Sequence, residues 1–305
     1  MDLHPKMQIG IDLGATKIEY VLLDNNNKEI KRDRIPTPTD YQKTLLSLED
    51  IIKKLDNKNE NFDVGICHPG AVDKTSGLIK NAHNSLWLNS KNLIKDLKKN
   101  IKNNILTDND ANCFCLSESF DGSASNYETV FGIILGSGCG GGLVINKKII
   151  QGANGLGGEW SLNHTPLFNV PNLEQGKIDN FNNRIEGYLS GKSIEKRYFE
   201  KFNKHLTAKE IFSGYRKKNN NEFEFIINYK DILSRCLITI ITTLDPDAIV
   251  FGGGISNEID FLDEIKTMSG KLINEPNLKT VFLKPKFGDA SGVRGAAILS
   301  RQNFI

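Results

Sequence analysis

Short apolar runs alternate along this chain with tight turns and with longer segments whose apolar residues recur at helical spacing. Near the start, the runs Gln8–Asp12, Ile18–Asp24 and Glu29–Ile35 are typical of strands joined by tight turns. Apolar residues at intervals of three and four then predict a helix at Tyr41–Leu55. The further elements predicted in this part are a strand at Phe62–Cys67, a helix at Leu86–Asn100, a strand at Ile105–Thr107 and a helix at Ala111–Phe120 that ends near Gly122.

A second series with the same beginning follows. Strands are predicted at Thr129–Leu135 and Gly142–Ile145, again on the two sides of a glycine turn. The later elements predicted are helices at Gly191–Lys204, Tyr229–Leu244 and Gly292–Arg301, a strand at Ala248–Phe251 and a loop at Gly214–Glu222. Each half opens with strand, glycine turn and strand, which predicts an α/β protein of two lobes around a central cleft. We place the N-terminal lobe at residues 1–118 and the C-terminal lobe at 119–290, with the final helix, 291–305, packing back on the first lobe.

Composition and charge exclude several classes of function. The chain has 305 residues, of which 25% are charged and 39% hydrophobic, as in an ordinary globular protein. Its net charge is +2, with acidic and basic residues mixed, so neither a nucleic-acid-binding stripe nor a membrane-binding face is indicated. The leader is polar, and no apolar stretch approaches the roughly 20 residues that cross a bilayer. We therefore expect a cytoplasmic protein without nucleic-acid or membrane partners.

The first glycine turn, Asp12–Lys17, has the residue types of a phosphate-binding hairpin. A carboxylate at the end of a strand can hold Mg²⁺ through water, so Asp12 is the candidate metal residue. Gly14 and Thr16 would let backbone and hydroxyl groups reach phosphate, and Lys17 completes this set of candidate nucleotide-binding residues. An ordinary hairpin turn has the same pattern, so this turn alone does not decide function. The segment is not the GxxxxGK[ST] loop of P-loop proteins.

The segment Asn109–Asn112 places an acid where a strand passes into a helix. Open α/β sheets bind ligands at the carboxyl ends of their strands, and Asp110 lies at such an end. Its carboxylate could accept the proton of a substrate hydroxyl that attacks a γ-phosphate, the task of a general base. Helix capping is the alternative, because Asn109 and Asp110 are both favourable N-cap residues.

Two further glycine segments are candidate nucleotide sites. Five glycines lie within the seven residues that begin at Gly136, a cost in chain entropy that a plain turn does not require. The backbone amides of Gly136 and Gly138, together with Ser137, would cradle the β- and γ-phosphates. Gly253 and Gly254 could let adenine or ribose lie against the backbone, although a strand-to-helix turn explains them equally well.

Two glutamates flank a long polar stretch, Asn163–Asn183. Glu159 and Glu186 could accept hydrogen bonds from sugar hydroxyls, a suitable task for carboxylates when the ligand presents donors. Their spacing alone favours solvated surface acids.

Together these segments resemble the ROK family (repressors, open reading frames and kinases) over nearly the whole chain. The family's strand-turn motif is similar to Asp12–Lys17, its Asn-Asp-Ala-Asn motif stands at Asn109–Asn112, and its Gly-Thr-Gly loop appears as Gly136-Ser137-Gly138. Within the family the chain looks most like bacterial fructokinases of the manno(fructo)kinase type. The stretches that carry this likeness are Pro69-Gly70, Lys80–Ala82, Trp87–Asn89, Leu244–Asp247, Gly252–Gly254 and Ser291–Ala297.

The resemblance implies an actin-like ATPase (ribonuclease H-like) fold and ATP- and Mg²⁺-dependent phosphorylation of a hexose. The expected reaction is fructose to fructose 6-phosphate, with Asp110 as the base. The residues that it assigns to the sugar are Asn109, Glu159, Glu186, Gly70 and Asn84. Homodimers are usual in such families, so a homodimer is expected. Glucose, mannose and N-acetylhexosamines stay alternative substrates, because they differ by one or two hydroxyl contacts, and Trp160 is expected to help shape that choice.

One departure from the family pattern concerns zinc. The family reads Gly-Glu-x-Gly-His, and that histidine binds a structural zinc with three downstream cysteines. Here the same place is Gly158–Leu162, and no cysteine lies between Cys139 and Cys236. A cysteine-rich zinc site needs thiolates, so we predict no zinc site and five reduced thiols. In the family that histidine also contacts the sugar. Leu162 cannot donate a hydrogen bond, so the loss of the histidine would alter either the affinity for sugar or the choice of hydroxyl.

Two other functions compete with a kinase. A transcriptional repressor of this family would carry an N-terminal helix-turn-helix, but the first predicted strand begins near Gln8, so a repressor is not expected. A sugar-binding relic without turnover is suggested by the missing zinc residues and by Ala15 in place of the family's glycine. Because Asp110 is retained, altered specificity is favoured over loss of activity.

Overall fold

The computed structural model describes residues 7–58, 60–82, 84–164 and 184–302. The strands of the first part are β1 Gln8–Leu13, β2 Lys17–Leu23, β3 Glu29–Pro36, β4 Asp63–His68, β5 Ala71–Val72, β6 Ile79–Lys80 and β7 Ile105–Asn109. The helices of this part are α1 Tyr41–Leu55, α2 Leu93–Leu97 and α3 Asp110–Phe120. Among the described residues, five of these strands form a sheet in the order β3-β2-β1-β4-β7.

The second part repeats this plan. Its strands are β8 Thr129–Leu135, β9 Cys139–Ile145, β10 Lys148–Ile149, β11 Ala248–Gly252 and β12 Val281–Leu283. Its helices are α4 Glu186–Leu189, α5 Gly191–Phe202, α6 Ala208–Arg216, α7 Asn220–Leu244, α8 Gly254–Glu258, α9 Leu262–Leu272 and α10 Ser291–Leu299. The sheet order within the described chain is β10-β9-β8-β11-β12. In each sheet the first strand is antiparallel to the second and parallel to the next main strand, so the predicted duplication is confirmed.

Helices α3 and α10 lie between the two sheets. A Cβ on Gly65 would collide with the carbonyl of Ala296, so α10 lies directly on the first sheet. A Cβ on Gly142 would lie 2.6 Å from the carbonyl oxygen of Ala111, so α3 lies equally close to the second sheet. The two helices also pack against one another. The N-terminus of α3, which directly follows β7, is therefore held where the two lobes meet.

The predicted helix at Leu86–Asn100 is wrong in its extent. Residues 86–88 form one 3₁₀ turn, and the α-helix begins only at Leu93. Between them, Ser90 has φ 63 and donates its backbone N–H to Ile79. The Asn89 side chain accepts from the backbone of Ala82. Hydrogen bonds to the segment around β6 therefore outweigh the helical periodicity.

The predicted loop at Gly214–Glu222 is also wrong. Helix α6 continues to Arg216 and α7 begins at Asn220, so only three residues connect them. Lys218 has φ 60, which makes the reversal tight. The run of Lys and Asn residues therefore forms the exposed ends of two helices and is not a surface insertion.

The described part of the final helix lies on β1 and β4, while the predicted lobe boundaries at residues 118 and 290 stay a prediction. Within the ranges that the structure covers, no helix combines the length and apolar character that crossing a lipid bilayer requires.

Candidate active site

The carboxyl ends of three parallel strands bring the candidate acids to one edge of the first sheet. β1 pairs with β4 so that Asp12 lies beside Cys67, and β4 pairs with β7 so that Cys67 lies beside Asp108. Asn109 is the last residue of β7, and Asp110 starts α3. Strand register, rather than nearness in sequence, therefore places Asp12 close to Asp110.

Asn109, not Asp110, caps helix α3. The Asn109 side-chain oxygen accepts a hydrogen bond of 2.6 Å from the backbone N–H of Asn112. The Asp110 carboxylate accepts from the backbone N–H of Ala111 at 2.9 Å, and its side chain is exposed. Because another residue performs the capping, the Asp110 carboxylate is available to a ligand.

Three carboxylates with raised pKa values converge here. Burial, and then the charge of Asp110, raises the pKa of Asp12 to about 6. Burial, and then the charges of Asp110 and Glu186, raises the pKa of Glu159 to about 6. Desolvation by the surrounding protein raises the pKa of Asp110 although solvent reaches its side chain. Such a site attracts hydrogen-bond donors and cations.

Glu159 reaches this group through a turn that is clamped to β9. Gly158 has φ 87, and a Cβ there would lie 2.7 Å from the Cα of Gly142. The Glu159 Oε1 accepts a hydrogen bond of 3.3 Å from the Asn109 side-chain amide. The next residue, Trp160, is 4% exposed and donates its indole N–H to Gly140 at 3.0 Å. Trp160 therefore belongs to the core, and its expected influence on the choice of sugar stays a prediction.

Glu186 joins the site from the start of α4. Its Oε1 accepts from the backbone N–H of Cys139 at 3.4 Å and lies 3.0 Å from the position that a Cβ on Gly138 would take. Glu159 and Glu186 are both only partly exposed. The interpretation of the two glutamates as solvated surface acids is therefore wrong, although neither residue's contact with a sugar is tested by these observations.

The glycine-rich segment divides into a turn and a strand. The turn is short, because Gly136 donates its backbone N–H to the carbonyl of Gly138 at 2.9 Å. Residues 140–142 belong to β9, where a Cβ on Gly141 would lie 2.6 Å from Trp160. Close packing thus explains Gly141 and Gly142, whereas a Cβ on Gly140 would make only an ordinary contact of 3.5 Å with Ala111. The prediction of a phosphate cradle is confined to the turn and the exposed Ser137 at its tip.

Two glycines have no packing reason to be glycine. No heavy atom lies within 4 Å of a Cβ built on Gly136 or on Gly254, and neither has positive φ. Gly253, directly before Gly254, does need to be glycine, since it has φ 87 and a Cβ there would collide with the carbonyl of Leu135. That close approach brings the start of α8 beside the β8–β9 turn. The space beside the Cα atoms of Gly136 and Gly254 is therefore open to a ligand.

The β1–β2 turn is braced by Thr37. Gly14 donates to the carbonyl of Lys17 at 3.0 Å, and the Thr37 hydroxyl donates to the carbonyl of Gly14 at 2.8 Å. Thr16 is exposed beside them. Lys17 pairs with Glu19 at 2.9 Å, so part of the charge of its ammonium is already compensated within the protein.

Gly70 and Asn84 lie on the first lobe. Gly70 has φ 81, and a Cβ there would collide with the carbonyl of Lys80, so packing alone explains this glycine. Asn84 is exposed in the turn between β6 and the 3₁₀ turn. Their predicted contacts with sugar stay predictions.

The acids fit magnesium better than zinc. Asp12 and Asp110 present oxygen ligands whose mutual repulsion a hard divalent cation would offset, which suits Mg²⁺ held by Asp12 through water. Within the described ranges, no group of three His, Cys, Asp or Glu side chains is arranged to hold a metal ion, and all five cysteines are buried free thiols. Most of the Asn163–Asn183 stretch lies outside the described residues, so the absence of zinc stays a prediction.

Two residues of the site were not singled out in the sequence. Asp108, 5% exposed, accepts a hydrogen bond of 2.8 Å from the side chain of Gln151, which comes from the second lobe. An acid directly after a predicted buried strand is a signal that could have identified Asp108. Nothing in the sequence pattern identifies Gln151.

The raised pKa of Asp12 predicts a pH-dependent change in stability when its charge is removed. Folding raises this pKa from 3.8 to about 6, so the ionised carboxylate destabilises the folded state as pH rises through that range. Above about pH 6, the ionised carboxylate lowers the free energy of unfolding by on the order of 2–3 kcal/mol. We expect Asp12→Asn to raise the melting temperature at pH 8 in metal-free buffer and to change it little at pH 4. Equal effects at both pH values in thermal unfolding would contradict this assignment.

Comparison with known proteins indicates the same family as the sequence resemblance. The sequence profile of the ROK family matches residues 8–303. An N-acetyl-D-glucosamine kinase of Haemophilus influenzae (strain 86-028NP) is 34% identical over 309 residues, covering 96% of this chain and 99% of that protein. The N-acetyl-D-glucosamine kinase of Yersinia enterocolitica is 35% identical over 303 residues, with the same two shares covered.

Solved structures show the same fold. A ROK hexokinase from Thermus thermophilus superposes with a TM-score of 0.82 at 20% identity, covering 96% of this chain and 97% of that one. A ROK family glucokinase from Streptomyces griseus, solved with glucose and AMPPNP, superposes with a TM-score of 0.77 at 22% identity, covering 97% and 100%. The predicted actin-like ATPase fold with two α/β lobes is confirmed.

Proposed function

This chain belongs to the ROK family, and from that premise we propose that it transfers the γ-phosphate of ATP to a hydroxyl of N-acetyl-D-glucosamine. The observation that carries the proposal is the position of Asp110. Its carboxylate stands at the meeting of the two lobes, beside the Asn109–Glu159 pair and close enough to Asp12 to raise the pKa of that acid. A base, sugar-binding groups and a metal-binding acid are thus supported in one place.

Asp110 acts as the general base. Its raised pKa makes the carboxylate a better proton acceptor near neutral pH than a solvated aspartate would be. It removes the proton of the attacking hydroxyl as that oxygen bonds to the γ-phosphorus and the bond from the γ-phosphorus to the departing ADP breaks. The hydrogen bond from Ala111 holds the carboxylate in place for this transfer.

The sugar is held by groups that accept from its hydroxyls. Glu159 and Glu186 supply carboxylate acceptors, and the Asn109 amide offers a donor that now pairs with Glu159. Fixing the sugar relative to the base converts a bimolecular encounter into an oriented reaction, which supplies much of the rate enhancement in phosphoryl transfer.

The nucleotide lies along open backbone. The turn at Gly136–Gly138 would receive the phosphates and Gly254 the adenosine, while Gly14 and Thr16 approach from the first lobe. Mg²⁺, held by Asp12 through water, supplies charge neutralisation of the phosphates when it is bound. Backbone N–H groups stabilise the same negative charge.

The named relatives favour N-acetyl-D-glucosamine over fructose. The sequence resemblance to fructokinases had favoured fructose, whereas the two relatives above, at 34% and 35% identity over nearly the whole chain, are N-acetyl-D-glucosamine kinases. Fructose, glucose and mannose therefore become the second candidates. The expected homodimer stays a prediction.

A substrate panel tests the choice of sugar. With ATP and Mg²⁺, we expect kcat/KM for N-acetyl-D-glucosamine to exceed that for fructose, glucose and mannose by roughly tenfold or more, the discrimination that one or two lost contacts provide. Coupled measurement of ADP release gives the four values. Higher kcat/KM for fructose would restore the fructokinase assignment, and no turnover on any sugar would contradict kinase activity itself.

A further inference from the structure

A buried carboxylate next to the proposed sugar-binding residues forms hydrogen bonds with both lobes. Asp108, near the end of β7, is 5% exposed. Its Oδ1 accepts from the backbone N–H of Asn109 at 2.7 Å and from the side-chain amide of Asn112 at 2.8 Å. Its Oδ2 accepts from the side-chain amide of Gln151 at 2.8 Å. Three donors therefore share one carboxylate, and only Gln151 comes from the second lobe.

Gln151 is tied to the turn that carries Glu159. It follows β10, and its carbonyl accepts from the backbone N–H of Gly157 at 2.8 Å. A Cβ on Gly157 would collide with the carbonyl of Ile150, so the backbone at the two ends of this loop is in direct contact. The loop cannot shift at Gln151 without moving the turn at Gly158 and Glu159.

These hydrogen bonds and the backbone between them form a closed ring of contacts that spans both lobes. It runs from Asp108 to Gln151, through Gly157 to Glu159, and back through the 3.3 Å bond between Glu159 and Asn109. A second polar contact of this loop with the first lobe, from Lys80 to the carbonyl of Asn154, is exposed and 3.4 Å long. The shorter, part-buried bond between Asp108 and Gln151 is thus the stronger constraint on the separation of Asn109 and Glu159.

We propose that Asp108 and Gln151 are positioning residues that latch the second lobe onto the first and hold Glu159 opposite Asn109 and Asp110. Neither side chain touches the sugar in this account; each acts through the residues that do. The inference rests on the proposed function, because Asn109 and Glu159 are the proposed sugar-binding residues.

The first test is Gln151→Glu, assayed at pH 8. The substitution keeps the side chain's size but sets a second carboxylate against that of Asp108, replacing a hydrogen bond with repulsion. Breaking a buried bond to a charged group costs about 1–3 kcal/mol. We therefore expect the KM for the sugar to rise about tenfold or more, while the KM for ATP changes less than about twofold.

The double variant Asp108→Asn with Gln151→Glu provides the rescue. The introduced amide still accepts from Asn109 and Asn112 through its oxygen, and its nitrogen now donates to the introduced carboxylate. We expect the sugar KM to return to within about threefold of the wild-type value. Asn154→Asp is the matched control, since it makes the same amide-to-acid change at an exposed position of the same loop and should leave both KM values unchanged.

Hydrogen–deuterium exchange without sugar separates this inference from the proposed function. Gln151→Glu should speed exchange in residues 150–159 and also in residues 108–112 of the other lobe, and the double variant should reverse both changes. Faster exchange confined to 150–159, or an unchanged sugar KM in an active enzyme, would overturn the latch. If the wild-type chain phosphorylates no sugar, the proposed function fails while the exchange pattern still decides for or against the latch.

Discussion

Asp110→Asn should lower kcat by roughly 10²–10⁴-fold, the usual loss when a general base is removed, and leave the Kd for the sugar within a few fold. The amide has the shape of the carboxylate but cannot take the hydroxyl proton at neutral pH. Asn109 continues to cap α3 in this variant, so the helix and the sugar-binding groups stay in place. Stopped-flow or coupled assays give kcat, and calorimetry gives the Kd.

Asp263→Asn is the matched control for this experiment. Asp263 is also an exposed acid in the first turn of a helix, α9, but it belongs to the outer part of the second lobe. Its replacement should leave kcat unchanged. Near-normal turnover in Asp110→Asn would reject the assignment of the base, whatever the control shows.

Gly254→Leu should reduce kcat/KM for ATP by about 10²-fold without destabilising the protein. A Cβ at this position would have no protein atom within 4 Å, so we expect the fold to accommodate a side chain. Leucine in place of glycine also favours helix formation, by up to about 1 kcal/mol at the start of α8. The same side chain would occupy the space proposed for the nucleotide, and a displacement of about 1 Å in the reacting groups can cost 10²-fold in rate.

The neighbouring glycine provides the contrast. Gly253 has φ 87, and a Cβ there would collide with the carbonyl of Leu135, so Gly253→Leu should lower the free energy of unfolding by at least about 2 kcal/mol. Thermal unfolding of both variants, with ATP titrations of the folded one, distinguishes a ligand-facing glycine from a packing glycine. An unchanged KM and kcat for ATP in Gly254→Leu would remove Gly254 from the nucleotide site.

The sequence predicted the parts of the fold that depend on local pattern. The helix at Tyr41–Leu55 has the predicted bounds, and the strand–turn–strand openings of both halves are found. Asp110 was recognisable because a buried strand passes there into a helix. These features depend on residues within a few positions of each other, which is the range that periodicity and turn chemistry describe.

Contacts between distant segments could not be predicted from pattern. Glu159 looked like a surface acid because nothing nearby in the sequence shows that its turn is clamped to β9 and reaches Asn109, 50 residues earlier. The need for glycine at positions 141 and 142 could not be seen in the sequence, because the turn at Gly158 and the helix α3 that crowd them lie elsewhere in the chain. The break at Ser90 likewise depends on β6, whose backbone competes with the helix. The family resemblance supplied the proposed role of Glu159, which pattern alone did not favour.

Following the phosphorus atoms of ATP shows directly whether the γ-phosphate is transferred to the sugar. The chain is mixed with ATP, Mg²⁺ and N-acetyl-D-glucosamine, and ³¹P nuclear magnetic resonance records the products. The account predicts that one sugar phosphomonoester appears for each ADP, and that both signals are slowed together by Asp110→Asn. Release of inorganic phosphate without a sugar phosphate, or equal rates in the wild type and the variant, would contradict it.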